Sequence, residues 1–292
     1  MTEQEIREAI CEVGHKLWQL GFVAANDGNI SARLPDGNFI TTPTGTSKAM
    51  LTPDMLIKMN ADNEVVEPAR LPGYNPTSEF KVHLRCYAAR PEVNAVVHAH
   101  PPTATGFAIA HIPLDDYTMP EAIIFLGSVP IAPYDTPGSV GVADSIVPFL
   151  ENHDTILMEN HGALTVGVDI IQAYYRMETL EHFAKVSLVA RQLGGAKDLP
   201  MDKIQECCEI GKSFPIRHPG YRKYHGGESV NIRKAAEADI DAVTEIYDHI
   251  HDEEESCSIG WQRGAYPVRA TDETAVSLGE LFVLEYAGAR RG

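Results

Sequence analysis

The sequence predicts an α/β fold in which a sheet is flanked by helices. Three observations carry this. Apolar residues recur at helical spacing over residues 6–20 and again over 170–184. Between them lie short runs of strand length, at 30–34, 39–42, 94–100 and 155–159, that alternate or are wholly apolar. Turn-forming clusters, above all Asn26-Asp27-Gly28-Asn29 and Pro35-Asp36-Gly37-Asn38, punctuate the runs.

Taken in order, Thr2 and Glu5 form a capping box ahead of Ile6, Ile10, Val13, Leu17 and Leu20, one buried helical face that stops at Gly21. Residues 30–34 and 39–42 read as a hairpin around Pro35-Asp36-Gly37-Asn38. Residues 51–62 read as a short helical turn and a strand. Thr77 or Ser78 caps a helix that runs to Ala89, and Pro91 follows it. Residues 94–100 form a buried strand stopped by Pro101-Pro102, and 103–110 a helix. Residues 123–126 and 129–134 look like short strands, and 141–150 like a helix. Residues 155–159 form a further buried strand, and 163–166 extend the sheet. Asp169 caps a long helix to Leu193, closed by Gly194-Gly195, on which Glu178, Glu181 and His182 serve packing and solvation.

Composition narrows the partners. With 44% hydrophobic and 22% charged residues, 292 residues can build one large domain or two modest ones. A net charge of −17 repels nucleic acid and anionic membranes. Residues 1–10 lack a basic segment followed by an apolar one, and no run of about 18 apolar residues occurs, so neither a signal peptide nor a membrane span is expected. Cys11, Cys86, Cys207, Cys208 and Cys257 are scattered without zinc-type spacing, which fits a reduced, cytoplasmic protein.

Chemistry concentrates in residues 77–100. His98 and His100 stand two apart on a strand, so both side chains point to one face. Such a pair is either two satisfied core histidines or two ligands of one metal ion. Glu79 either serves the dipole of its helix or faces a site. Pro43-Thr44-Gly45-Thr46-Ser47 offers N–H and O–H donors that can hold a phosphate without a cation, and the helix start at Thr77 and Ser78 offers more. Gly28 and Asn29 alone read as a turn. His161 ends a strand, with glycine next to it.

The ordered set G-N-I-S, T-P-T-G, T-S-E, H-A-H and N-H-G, followed by a long helix bearing E-T-L-E, resembles the class II aldolase/adducin family over residues 1–215, in particular its L-fuculose-1-phosphate aldolase type. The resemblance implies a three-layer fold with a central, largely antiparallel sheet between helices. It implies a Zn²⁺ site, or one for Mn²⁺ or Co²⁺, on His98, His100 and His161. Glu79 would be the acidic catalytic residue and a fourth ligand at rest. Phosphate would be held by Gly28, Asn29, Thr44, Gly45, Thr77 and Ser78, with Thr77 standing where serine is usual. Tyr117 would be a proton donor supplied across a subunit boundary in a homotetramer. The implied reaction cleaves a ketose 1-phosphate, L-fuculose 1-phosphate or a 5-deoxy- or 5-methylthio-pentulose 1-phosphate, to dihydroxyacetone phosphate and an aldehyde. Epimerases, a dehydratase and decarboxylases belong to the same class. The epimerases carry aspartate where this chain has Glu79. Adducin-like members are binding modules without the metal set.

Composition shifts after Gly211. Residues 216–229 read as a linker in which Tyr221 or Tyr224 could close over a neighbouring site. Residues 230–292 resemble the first portion of a GNAT acetyltransferase: a strand at 230–233, a helix from Asp239 with Ile240, Val243, Ile246, Tyr247 and Ile250, and a strand at 281–286. No loop for acetyl-CoA pyrophosphate follows, so no acetyltransferase activity is expected. Residues 252–255, all acidic, read as a solvated helix end.

Overall fold

Helix α1, Glu3–Gln19, opens on the expected capping box: Glu5 N–H donates to Thr2 Oγ1, and Thr2 N–H donates to the Glu5 carboxylate at 2.7 Å. Ile6, Ile10, Val13 and Leu17 are buried along one face. Leu20 is not part of it. It is the C-cap residue and exposed, because Gly21, at φ +72°, turns the chain away.

The computed structural model describes residues 1–136, 138–212, 230–245, 269–278 and 281–286. The chain divides into two compact units, Met1–Arg222 and Lys223–Gly292. In the first, α1 is followed by β1 (Asn29–Arg33), β2 (Phe39–Thr41), β3 (Ile57–Met59), β4 (Val65–Glu67), α2 (Phe80–Ala89), β5 (Ala95–Ala99), α3 (Pro102–Ile109), α4 (Pro120–Phe125) and β6 (Ile131–Ala132). Then come α5 (Val140–Ser145), α6 (Val147–Leu150), β7 (Thr155–Met158), β8 (Gly162–Gly167), α7 (Ile170–Gln192) and α8 (Met201–Lys212).

Eight strands form one sheet in the order β4-β3-β2-β1-β5-β8-β7-β6. Neighbours are antiparallel except β6 and β7. Strand β5 lies in the middle and is buried along its whole length. Its alternation sorts the two cores. Ala95, Val97 and Ala99 pack with Ile10, Leu17, Phe107 and Met177 from α1, α3 and α7. Val96 packs with Phe80, Cys86, Val142 and Leu150 from α2, α5 and α6. The result is the three-layer arrangement the resemblance implied.

Three boundaries differ from the sequence expectation. Residues 123–126, read as a strand, belong to α4 and its C-cap: Pro120 presets the first turn, and a short apolar run has no period that separates helix from strand. The helix expected over 141–150 breaks into α5 and α6, since Pro148 has no N–H to continue the ladder. Helix α2 begins at Phe80, so Glu79 precedes the helix instead of lying in its first turn.

In the second unit, β9 (Val230–Lys234) pairs antiparallel with β10 (Phe282–Tyr286), so the two tail strands form their own ladder. A 3-10 turn, Glu237–Asp239, leads into helix over the described residues 240–245, where one was expected to start, and helix α9 covers Arg269–Leu278. Ile246, Tyr247, Ile250, Cys257, residues 252–255, Tyr221, Tyr224 and the linker at 216–229 lie outside the described residues. No helix among the described residues is long and apolar enough to cross a membrane.

Candidate metal centre

The alternation of β5 puts His98 on the same face as Val96, and His100 follows two residues later at the strand's end. His161 comes from the turn that joins β7 to β8. That turn is closed by the Met158–Gly162 pair and by a bond from His161 N–H to Met158 O at 3.0 Å, with Asn160 in the left-handed region at φ +53°. Gly162 is required here. A Cβ on it would stand 2.5 Å from His100 Cδ2 and 2.6 Å from Ala99 O. The missing side chain is what lets the turn close over the His100 ring.

The three imidazoles meet with ring centroids 4.7–5.1 Å apart, and their ligand atoms lie within 4.8 Å of one another. His98 Nε2 and His100 Nε2 are 3.1 Å apart. Tetrahedral ligands at Zn–N distances of about 2.0–2.1 Å stand about 3.3 Å apart, so the spacing suits a first-row ion. The tautomer suits it as well. His98 Nδ1 lies 2.9 Å from Ala163 O, which can only accept, so the proton sits on Nδ1 and the Nε2 lone pair faces the centre. Asp27 Oδ2 stands 3.5 Å from His100 Nδ1. Burial pushes His98 well below the usual imidazole range and lowers His161, which favours the neutral, ligating form.

Glu79 faces the same centre. Its Oε2 is 3.5 Å from His98 Nε2 and its Oε1 is 3.5 Å from His161 Nε2. Asn29 Nδ2 donates to Oε2 at 2.5 Å, and Glu79 N–H donates to Thr77 Oγ1 at 3.3 Å. The carboxylate therefore straddles two ligands rather than capping α2.

The expected phosphate segments are brought together by the chain path. An isolated bridge joins Pro43 to Pro76, Thr44 N–H donates to Asn75 O at 2.9 Å, and Thr77 N–H donates to Thr42 O at 3.2 Å. Thr44 and Gly45 thus run beside Thr77 and Ser78. Gly28 has φ +73°, and a Cβ there would approach His98 O to 2.8 Å, so glycine lets this turn seat on β5. Asn29 is buried, with its amide shared between Glu79 and His83.

Two residues escaped the sequence reading. Lys48 is 1% exposed and donates to Asn26 O at 3.1 Å and Thr46 O at 2.9 Å, tying the Gly28 turn to the Thr44–Gly45 loop. Burial pushes its amine down to about 8. An anion seat of neutral donors alone was expected, yet this amine stands behind the loops. Glu181, expected to be solvated or packed, is buried and accepts from Thr103 N–H at 3.0 Å and Ala104 N–H at 2.9 Å, capping α3. Neither contact has a local signal, since the partners come from other elements. Tyr117 is 5% exposed, with its N–H donating to Asp198 Oδ1 and its carbonyl accepting from Leu199 N–H, both at 2.9 Å.

Fold and site together define a class: an α/β domain with a three-histidine centre and a facing carboxylate. The chain belongs to the class II aldolase and adducin N-terminal domain family, which its residues 8–188 match. It is 32% identical over 193 residues to a 3-oxo-tetronate 4-phosphate decarboxylase of Escherichia coli O6:H1, covering 64% of this chain and 88% of that one. It is 32% identical over 183 residues to an L-fuculose phosphate aldolase of Methanococcus maripaludis strain C7, covering 62% and 96%. Among solved structures it resembles YgbL from Klebsiella pneumoniae, with TM-score 0.65, 27% identity and 71% and 99% coverage. It also resembles the L-fuculose-1-phosphate aldolase of Thermus thermophilus, with TM-score 0.58, 30% identity and 67% and 98% coverage.

Proposed function

We propose that this protein is a metal-dependent lyase that cleaves a ketose 1-phosphate to dihydroxyacetone phosphate and an aldehyde. The observation that carries this reading is the Glu79 carboxylate set 3.5 Å from the Nε2 atoms of both His98 and His161. The donor set fits a divalent ion, zinc or a neighbour such as manganese or cobalt, held by His98, His100 and His161. Such an ion supplies Lewis acidity at the ketose carbonyl. Glu79 carries the proton to and from the carbon that becomes the dihydroxyacetone phosphate hydroxymethyl carbon. Tyr117, from a neighbouring subunit, takes the proton of the C4 hydroxyl in cleavage and returns it in synthesis. Gly28, Thr44, Gly45, Thr77 and Ser78 hold the phosphate, and Asn29 links that seat to Glu79.

A second reading is favoured by the decarboxylase relatives. A 3-oxo-tetronate 4-phosphate is a β-keto acid. Loss of carbon dioxide from it breaks the bond next to the same carbonyl and leaves the same enediolate of dihydroxyacetone phosphate. One centre can therefore serve both reactions, and the leaving group, aldehyde or carbon dioxide, separates them.

The test incubates purified protein with candidate ketose 1-phosphates and with 3-oxo-tetronate 4-phosphate, following dihydroxyacetone phosphate by a coupled assay and carbon dioxide separately. Release from a ketose 1-phosphate is expected. Release from the keto acid alone moves the assignment to the decarboxylase. No release from either, with metal bound, removes both. An adducin-like binding module predicts no stoichiometric metal, which elemental analysis decides. The same reading places the chain in a cytoplasmic homotetramer. Val189 and Leu193, exposed at the end of α7, fit assembly, and sedimentation equilibrium tests it.

A further inference from the structure

Glu79 is one end of a buried hydrogen-bonded chain. Asn29 Nδ2 donates to Glu79 Oε2 at 2.5 Å. Asn29 Oδ1 lies 2.6 Å from His83 Nε2, His83 Nδ1 lies 2.6 Å from Ser31 Oγ, and Ser31 Oγ lies 2.7 Å from the Tyr87 hydroxyl. His83 and Ser31 are fully buried, and Asn29 and Tyr87 are 4% exposed. Two periodicities build this chain. Glu79, His83 and Tyr87 are spaced by four from the N-cap of α2 into the helix, while Asn29 and Ser31 are spaced by two along β1.

The direction of every bond follows from the first. An ionised carboxylate only accepts, so the Asn29 amide presents its NH₂ to Glu79 and its carbonyl to His83. That carbonyl needs a donor, so His83 carries its proton on Nε2. Burial holds the ring neutral, its pKa pushed down to about 3, so Nδ1 is an acceptor. Ser31 then donates to Nδ1, and Tyr87 donates to Ser31. Four donors point one way, towards Glu79.

We propose that His83 is a positioning residue, whose Nε2–H fixes the Asn29 amide and so aims the Glu79 carboxylate into the metal centre. The proposal rests on the reading that Glu79 moves the substrate proton. Glutamine can replace the function at His83, because its amide offers one donor and one acceptor. Phenylalanine fills the space and offers neither.

The test uses the full chain with its metal. His83→Phe is expected to lower kcat about 10- to 100-fold, the range for outer-sphere partners, with KM and metal content nearly unchanged. His83→Gln is expected to recover most of the loss. In a Glu79→Gln background, His83→Phe is expected to cost nothing further, because the two act as one unit. A readout without turnover is ¹⁵N NMR of histidine-labelled protein: His83 is expected as the neutral Nε2–H tautomer, and Ser31→Ala is expected to keep that tautomer while shifting the Nδ1 resonance. Full kcat in His83→Phe overturns the proposal. So does a wild-type Nδ1–H tautomer, or a loss of metal in His83→Phe that glutamine does not rescue. A wild-type protein without carbon–carbon cleavage removes the proposed function instead, and the tautomer then decides the wiring by itself.

Discussion

At the scale of single residues, the site is held by groups with little freedom. Glu79→Gln keeps the shape and the Asn29 contact but removes the proposed proton carrier. Turnover is expected to fall by about 10²–10⁴ while the metal stays bound, measured by steady-state kinetics and elemental analysis on the same sample. Gly162→Ala adds a methyl group where His100 Cδ2 and Ala99 O already stand. The ring must move, and metal affinity is expected to drop at least about tenfold in a chelator competition. His83 gives a pH signature. Its folded value, about 3, lies below the ordinary 6.5. The unfolded chain therefore binds a proton that the folded chain refuses across this window. Its contribution is complete above pH 6.5 and is lost as pH falls towards 3, by up to about 1.4 kcal/mol per pH unit. Urea unfolding at several pH values is expected to show that slope, and His83→Gln to flatten it.

At the scale of elements, the hairpin that carries His161 is anchored at its far end by a buried ion group. Asp154, just before β7, takes Arg90 Nη1 on one carboxylate oxygen at 2.5 Å and Arg176 Nη2 on the other at 2.7 Å. Arg176 also donates to Val166 O in β8, and Arg90 follows α2. The group thus joins α2, α7 and the hairpin. Asp154→Ala takes the shared carboxylate from two buried guanidinium groups, leaving Arg90 with Glu92 and Arg176 with the Val166 carbonyl. A loss of about 3–5 kcal/mol is expected in chemical denaturation, because removing one partner of a buried pair strands the other. This cluster could not be read from the sequence. Arg90, Asp154 and Arg176 occupy three elements, and each alone resembles a surface charge. Helix α4 failed for the opposite reason: the signal was local, but six residues are too few to show a period.

At the scale of the molecule, the proposed metal site depends on the fold. The candidate ligands come from β5 and its end and from the β7–β8 turn, which are brought together only when the sheet is formed. Metal in excess of its dissociation constant stabilises the folded state by mass action, about 2.7 kcal/mol at a 100-fold excess. For a domain of this size that corresponds to roughly 5–10 °C. Stripping the ion is expected to lower the melting temperature of the first unit by about that amount, followed by calorimetry, and restored zinc to return it. An absence of any shift removes the metal reading.

Much of the centre was legible because its chemistry follows local periods. His98 and His100 fall on one face by strand alternation, Glu79 follows two hydroxyl residues, and His161 stands beside a glycine at a strand's end. The sequence by itself determined most of the elements, α4 and the break between α5 and α6 excepted, the likeness to a family and the identity of the candidate ligands. Tertiary structure decided what those residues touch. Glu79 left its expected place in a helix to straddle two histidines, Asn29 joined it to His83, and Lys48 was drawn beneath the loops at Asn26 and Thr46. Local propensity cannot encode such contacts, because their partners lie tens of residues apart and meet only where β1, β5 and α2 pack together.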